Sequence, residues 1–88
     1  MSRYRVECAT HAADQRDQLP RSERAAFDAR VGDLERDPHK AGDYSEREDS
    51  YTTTFGETGI ILYTFSDLHV LPDGNVRVTI LRVTWFEW

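Results

Sequence analysis

The sequence predicts an α+β domain of order β-α-α-β-β-β, with a helical hairpin on one face of a small, mainly antiparallel sheet. Three observations predict it. Residues 75–88 form an apolar, β-branched run with only Arg77 and Arg82 as interior bases. Phe27, Val31 and Leu34 recur at spacings of four and three between Pro20 and Pro38, a narrow helical stripe. Tyr51, Thr53 and Phe55, alternating with Thr52 and Thr54, and the apolar run 60–65 flank the turn Gly56, Glu57, Thr58 and Gly59, which reads as a hairpin. A chain of 88 residues makes one domain, 1–88.

The elements follow in chain order. Tyr4, Val6 and Cys8 alternate with Arg3, Arg5 and Glu7, so a half-buried first strand is expected. Thr10 offers a hydroxyl as N-cap for a short helix that ends before Pro20. Pro20 suits the start of a second helix and Glu23 its first turn. Arg30 edges the apolar stripe, where its stem packs and its head stays in water. Asp37 and Pro38 close the helix near Arg36, and the tight joint makes the two helices an antiparallel pair. Residues 37–50 read as a polar connection. The segment Ser66 to His69 fits either a continued strand or a bulge. Leu71, Pro72, Asp73, Gly74 and Asn75 form a turn, since Pro72 presets one φ and Gly74 supplies a positive one. In the last strand Val76, Val78, Ile80, Arg82, Thr84 and Phe86 are expected on one face, and Arg77, Thr79, Leu81, Val83 and Trp85 on the other. Both faces carry apolar residues, so both are expected to be partly covered. At about 3.3 Å per residue the run would span about 40 Å, which implies a bend and a place in the middle of the sheet.

Charge narrows the function. The chain has 16 acids against 11 bases, a net charge of −5, so it lacks the basic balance of a protein that grips a phosphate backbone. Asp43, Glu46, Glu48 and Asp49 face one base, Arg47, in a solvated connection that would repel nucleic acid. Direct nucleic-acid binding is therefore not expected. The single cysteine, Cys8, excludes an internal disulfide and fits a reducing compartment. No signal-like leader and no apolar run near membrane length is seen, so a cytoplasmic protein without membrane contact is expected. His11, His39 and His69 have no ligand spacing, and no phosphate loop is present, so neither a metal nor a cofactor is expected.

Particular residues then carry a likeness. Tyr4, Arg5 and Val6 at the start, Leu19 and Pro20 before the long helix, and Leu34, Asp37 and Pro38 at its end come in a shared order with Tyr51, with Gly59 to Tyr63 and with Val78 to Val83. In this order the chain resembles the RelE/ParE superfamily of bacterial toxin–antitoxin toxins. The resemblance implies a toxin neutralised by an antitoxin that wraps around it. Its RelE branch cuts messenger RNA on the ribosome, and its ParE branch poisons DNA gyrase. RelE-type cleavage uses cations to steady a charged phosphorane, often with a C-terminal tyrosine or histidine. At the matching positions this chain has Thr52 and Thr54 for the basic pair, Ile61 for the arginine after the third-strand glycine, and a residue near Phe86 for the late arginine. The C-terminal aromatic would lie beyond Trp88. The resemblance with these departures implies a toxin that acts by protein binding, like the gyrase poisons. The alternatives are a diverged ribosome-dependent mRNA endonuclease and a non-toxic interaction module of the same fold, which would dimerise.

Arg82, inside an apolar strand, is the leading single site residue. It is either a partner- or anion-contacting base or a structural arginine that meets a carboxylate such as Glu7 or Glu57. Arg47 and Tyr51 flank the acidic connection and are the other weak catalytic candidates; a surface base and an edge aromatic are the plain alternative. Trp85, Phe86 and Trp88 form a partner-binding patch with Arg82, or else fill the core. Cys8, on the apolar face of its strand, reads as a buried structural thiol.

Overall fold

The computed structural model describes residues 3–86. Its strands are β1 (Tyr4–Cys8), β2 (Asp43–Ser45), β3 (Ser50–Phe55), β4 (Gly59–Val70) and β5 (Val76–Thr84). Its helices are α1 (Thr10–Asp17), α2 (Arg21–Arg36) and α3 (Pro38–Ala41). The sheet order is β1-β5-β4-β3-β2, antiparallel except that β1 lies parallel to β5. Parallel neighbours need a crossover, and the helices and the β2–β4 meander supply it. The α+β architecture matches the sequence reading; the last strand is interior, between β1 and β4, but the middle of the sheet is β4.

Two small elements were hidden in the polar connection. The Asp37 carboxylate accepts from the N–H groups of His39 and Lys40, at 3.1 and 3.3 Å, and Pro38 opens the turn, so α3 begins where α2 stops. The edge strand β2 pairs with only three residues of β3. At α1 the cap position falls on Ala9 rather than Thr10, with no side-chain cap bond.

Both long helices cover the same face of the sheet. Phe27 and Leu34 of α2 and Ala12 of α1 are buried against Val76, Val78, Ile80, Ile61, Tyr63 and Phe55. The Phe27 and Phe55 rings meet edge to face at 5.5 Å. Tyr63 donates to the Pro38 carbonyl at 2.7 Å, which ties α3 to the middle of the sheet.

The other face is open, which corrects the expectation that both sides of β5 are covered. Ile60 and Leu81 remain exposed there. A second correction concerns Arg82. Leu62 pairs with Arg82 but Tyr63 pairs with Ile80, so Leu81 is one extra residue on β5. A bulge of this kind inverts the alternation beyond it. Val83, not Arg82, therefore joins Val76, Val78 and Ile80 in the core, and Arg82 turns to the open face. The Val83 N–H, beyond the end of β1, donates to Gln15 Oε1 of α1 at 2.8 Å. A second irregularity lies between Phe65 and Val70, so the Ser66 to His69 segment is both strand and bulge.

Candidate functional site

The open sheet face is the place where the chain can meet another molecule. Side chains directly opposite one another in paired strands share a face. Asp43, Thr52, Leu62 and Arg82 are register partners on β2, β3, β4 and β5, and so form one row across it. Glu48, Thr52, Ile60, Leu62, Arg82 and Thr84 line a shallow cleft of about 430 Å³ along this row.

The bases on this face differ in their commitments. Arg77 is paired with Glu7 at 2.9 Å. Arg5 is paired with Asp73 at 3.2 Å and Glu7 at 3.5 Å. Arg82 has no ion pair or hydrogen bond among the described residues, so the structural pairing with Glu7 or Glu57 is not formed. Its guanidinium is exposed and available.

Arg82, Arg47 and Tyr51 are not brought into one cleft. Tyr51 lies on the covered side, stacked on Phe65 at 4.9 Å and on Tyr63 at 5.3 Å. Arg47 is exposed in the turn between β2 and β3 and does not line the Arg82 cleft. Trp85 packs half-buried against the core, whereas Phe86 is 62% exposed. Phe86 is held by Thr58, whose hydroxyl donates to its carbonyl at 2.7 Å. Trp88 lies outside the described residues.

The positions matched to the nuclease cations also separate. Thr52 and Thr54 are exposed on the open face, but Ile61 is fully buried between Thr53 and Val83. An arginine at Ile61 would enter the core, so the open-face counterparts on β4 are Ile60 and Leu62, which are uncharged as well.

One cluster escaped the sequence. His39 Nε2 lies 2.7 Å from Asp67 Oδ2, and the Tyr4 hydroxyl donates to Asp67 Oδ1 at 3.1 Å. The hydrogen bond from His39, seconded by Tyr4, holds the Asp67 carboxyl below the usual carboxylate range. Burial and the bond to Asp67 push the Tyr4 phenol up. Phe65 meets the His39 ring edge-on at 4.6 Å. This group fastens α3 to the β4 bulge at the rim of the core. The three residues are scattered over the chain at no motif spacing, so no sequence signal announced them.

Other chemistry is sparse. Among the described residues no three His, Cys, Asp or Glu side chains converge as a metal site. Burial pushes the Cys8 thiol up, against the pull of Arg16 at 3.8 Å, so it stays a protonated thiol. Among the described residues no helix is long and apolar enough to cross a membrane.

No protein-family model matches the chain, and no curated protein matches it. Solved structures do. The toxin–antitoxin complex RelBE2 from Mycobacterium tuberculosis contains a chain 30% identical to this one, with a TM-score of 0.78, over 94% of this chain and 98% of that one. The intact E. coli RelBE toxin–antitoxin complex contains a chain 15% identical, with a TM-score of 0.72, over 94% of this chain and 96% of that one; at that identity the likeness is one of fold. The identity, the near-complete coverage of both chains and the shared helix-on-sheet architecture lead to one conclusion. This chain belongs to the RelE/ParE superfamily of toxin–antitoxin toxins.

Proposed function

We propose that the protein is the toxin of a bacterial toxin–antitoxin pair, that an antitoxin segment covering its open sheet face holds it inactive, and that it acts by binding a protein, as the gyrase poisons do. The observation that carries this reading is the makeup of the open face. The cleft around Arg82 is lined by Glu48, Thr52, Ile60, Leu62 and Thr84, with no second base among the described residues. Removing one preorganised donor from a charged transition state commonly costs about 3 kcal/mol. A cleft with one guanidinium, and with Glu48 as its other ionisable side chain, is poorly suited to steadying the charge built up when RNA is severed. The open face offers surface for a macromolecular contact, with Ile60 and Leu81 exposed and the Arg82 guanidinium without an ion pair among the described residues.

Induced expression in a bacterial host without the neighbouring reading frame tests the reading. Growth arrest with gyrase–DNA cleavage complexes is expected, and intact messenger RNA. Unaffected growth would remove the toxin claim.

A second reading has its own support. The likeness to a RelBE2 chain, together with the unpaired Arg82, favours a diverged ribosome-dependent endonuclease. It predicts cut transcripts in a translating extract, lost in Arg82→Ala; such cuts would displace the gyrase-poison reading while keeping the toxin.

A further inference from the structure

The row Asp43, Thr52, Leu62 and Arg82 has a polarity that specifies what lies across it. One end is an acid, Asp43, and the other a base, Arg82; a second acid, Glu48, lines the cleft that runs from Thr52 to Arg82. Between the two ends stand the Thr52 hydroxyl and the Leu62 side chain. Neither Asp43 nor Arg82 has an ion pair among the described residues. We infer that the open face takes an extended segment of the partner protein that presents an acidic, an apolar and a basic side chain at alternate positions, the acid on Arg82 and the base on Asp43 and Glu48. This rests on the reading of the chain as a protein-binding toxin and names the chemistry of its partner.

Spacing decides between an extended segment and a helix. The row crosses three strand-to-strand gaps, so its charged ends stand about 14 Å apart. An extended chain rises about 3.4 Å per residue and shows alternate side chains to one side, so its positions i, i+2 and i+4 span about 14 Å on a single face. A helix needs about nine residues for that distance, and nine steps of about 100° leave the last side chain pointing away. The neighbours of the row support the same choice. Thr54 and Thr84 flank it with hydroxyls that both donate and accept. An extended segment has unpaired main-chain groups that need such partners, whereas the groups of a helix are already paired.

The probe is a hairpin-constrained synthetic peptide displaying Glu, Leu and Lys at alternate positions of one strand, titrated into the isotope-labelled full chain and followed by NMR. Shifts confined to the row around Thr52, Leu62 and Arg82 are expected. Peptides with Glu at both charged positions, or Lys at both, should bind about threefold more weakly, the scale of an exposed ion pair. Arg82→Glu and Asp43→Arg should each weaken binding by about the same factor. The double variant should restore it, because the segment then lies in the opposite direction. No shifts at millimolar peptide, shifts elsewhere, equal affinity for the three peptides, or a double variant no better than the single ones would overturn the inference. Growth arrest by the unaltered chain is read separately. If arrest occurs and the titration fails, only the partner chemistry falls; if arrest is absent, the toxin reading falls whatever the peptides do.

Discussion

The two faces of one sheet have opposite characters although the same strands build both. The covered face is a closed hydrocarbon layer in which Ile61, Tyr63, Val78, Ile80 and Val83 are buried beneath α1 and α2. The open face alternates with it residue by residue and carries threonines, scattered apolar side chains and a free arginine. Neighbouring positions in the sequence therefore answer to different demands. Position 61 answers to packing, and position 62 to whatever docks.

The largest effect expected from this contrast compares Ile61→Arg with Leu62→Arg. The first places a guanidinium where there is neither water nor a counter-charge, and such burial costs at least about 4 kcal/mol, enough to unfold a domain of this size. The second places it on the solvated face, within about 0.5 kcal/mol of the parent. Urea unfolding followed by circular dichroism measures both. Equal midpoints would mean that the two positions do not lie on opposite faces. Leu62→Arg also puts a second cation beside Arg82, so a gain of RNA cleavage in that variant would show that missing charge was what silenced the nuclease branch.

A smaller effect concerns Tyr63, the polar group deepest under the helices. Burial pushes its phenol from 10.0 up to about 12. Between those values the unfolded phenol has lost its proton and the folded one keeps it, so the folded state binds more protons. Stability then falls as pH rises through this window, by about 3 kcal/mol in all. Tyr63→Phe should flatten that alkaline slope. At neutral pH it should cost about 1–2 kcal/mol, because the buried Pro38 carbonyl loses its donor. A slope that survives the substitution would assign the alkaline loss to another group.

The covered face was the more legible in the sequence, for a physical reason. Burial imposes periodicity, and the spacing of Phe27, Val31 and Leu34 or of Val76, Val78 and Ile80 states it directly. The open face has no such pattern, because solvent accepts most residues. The one error of sidedness came from Leu81. A bulge adds a residue without any distinctive composition, so strict alternation assigned Arg82 to the wrong face. The short elements α3 and β2 were lost for a related reason. Four and three residues cannot show a period, and their cause, the Asp37 cap and the pairing to β3, is a local bond in one case and a distant strand in the other. The row from Asp43 to Arg82 draws one residue from each of four strands, so it exists only in the register.

The smallest effect lies at the rim between the faces, where His39, Asp67 and Tyr4 meet. Asp67 has its folded pKa lowered, first by the bond from His39. The stability it contributes is present above the ordinary carboxylate range and is lost as pH falls through the folded value. Asp67→Asn should therefore shift the unfolding midpoint slightly at pH 6, and by less as pH falls through the folded value and the Asp67 carboxyl takes up a proton. The substitution should also leave open-face peptide binding unchanged, since the cluster faces the core rim and shares no residue with the cleft. A loss of binding in Asp67→Asn at pH 6, with the fold intact, would show that the bulge at Ser66 to His69 governs how β4 presents Leu62 to a partner, and the two faces would then be coupled through their common strand.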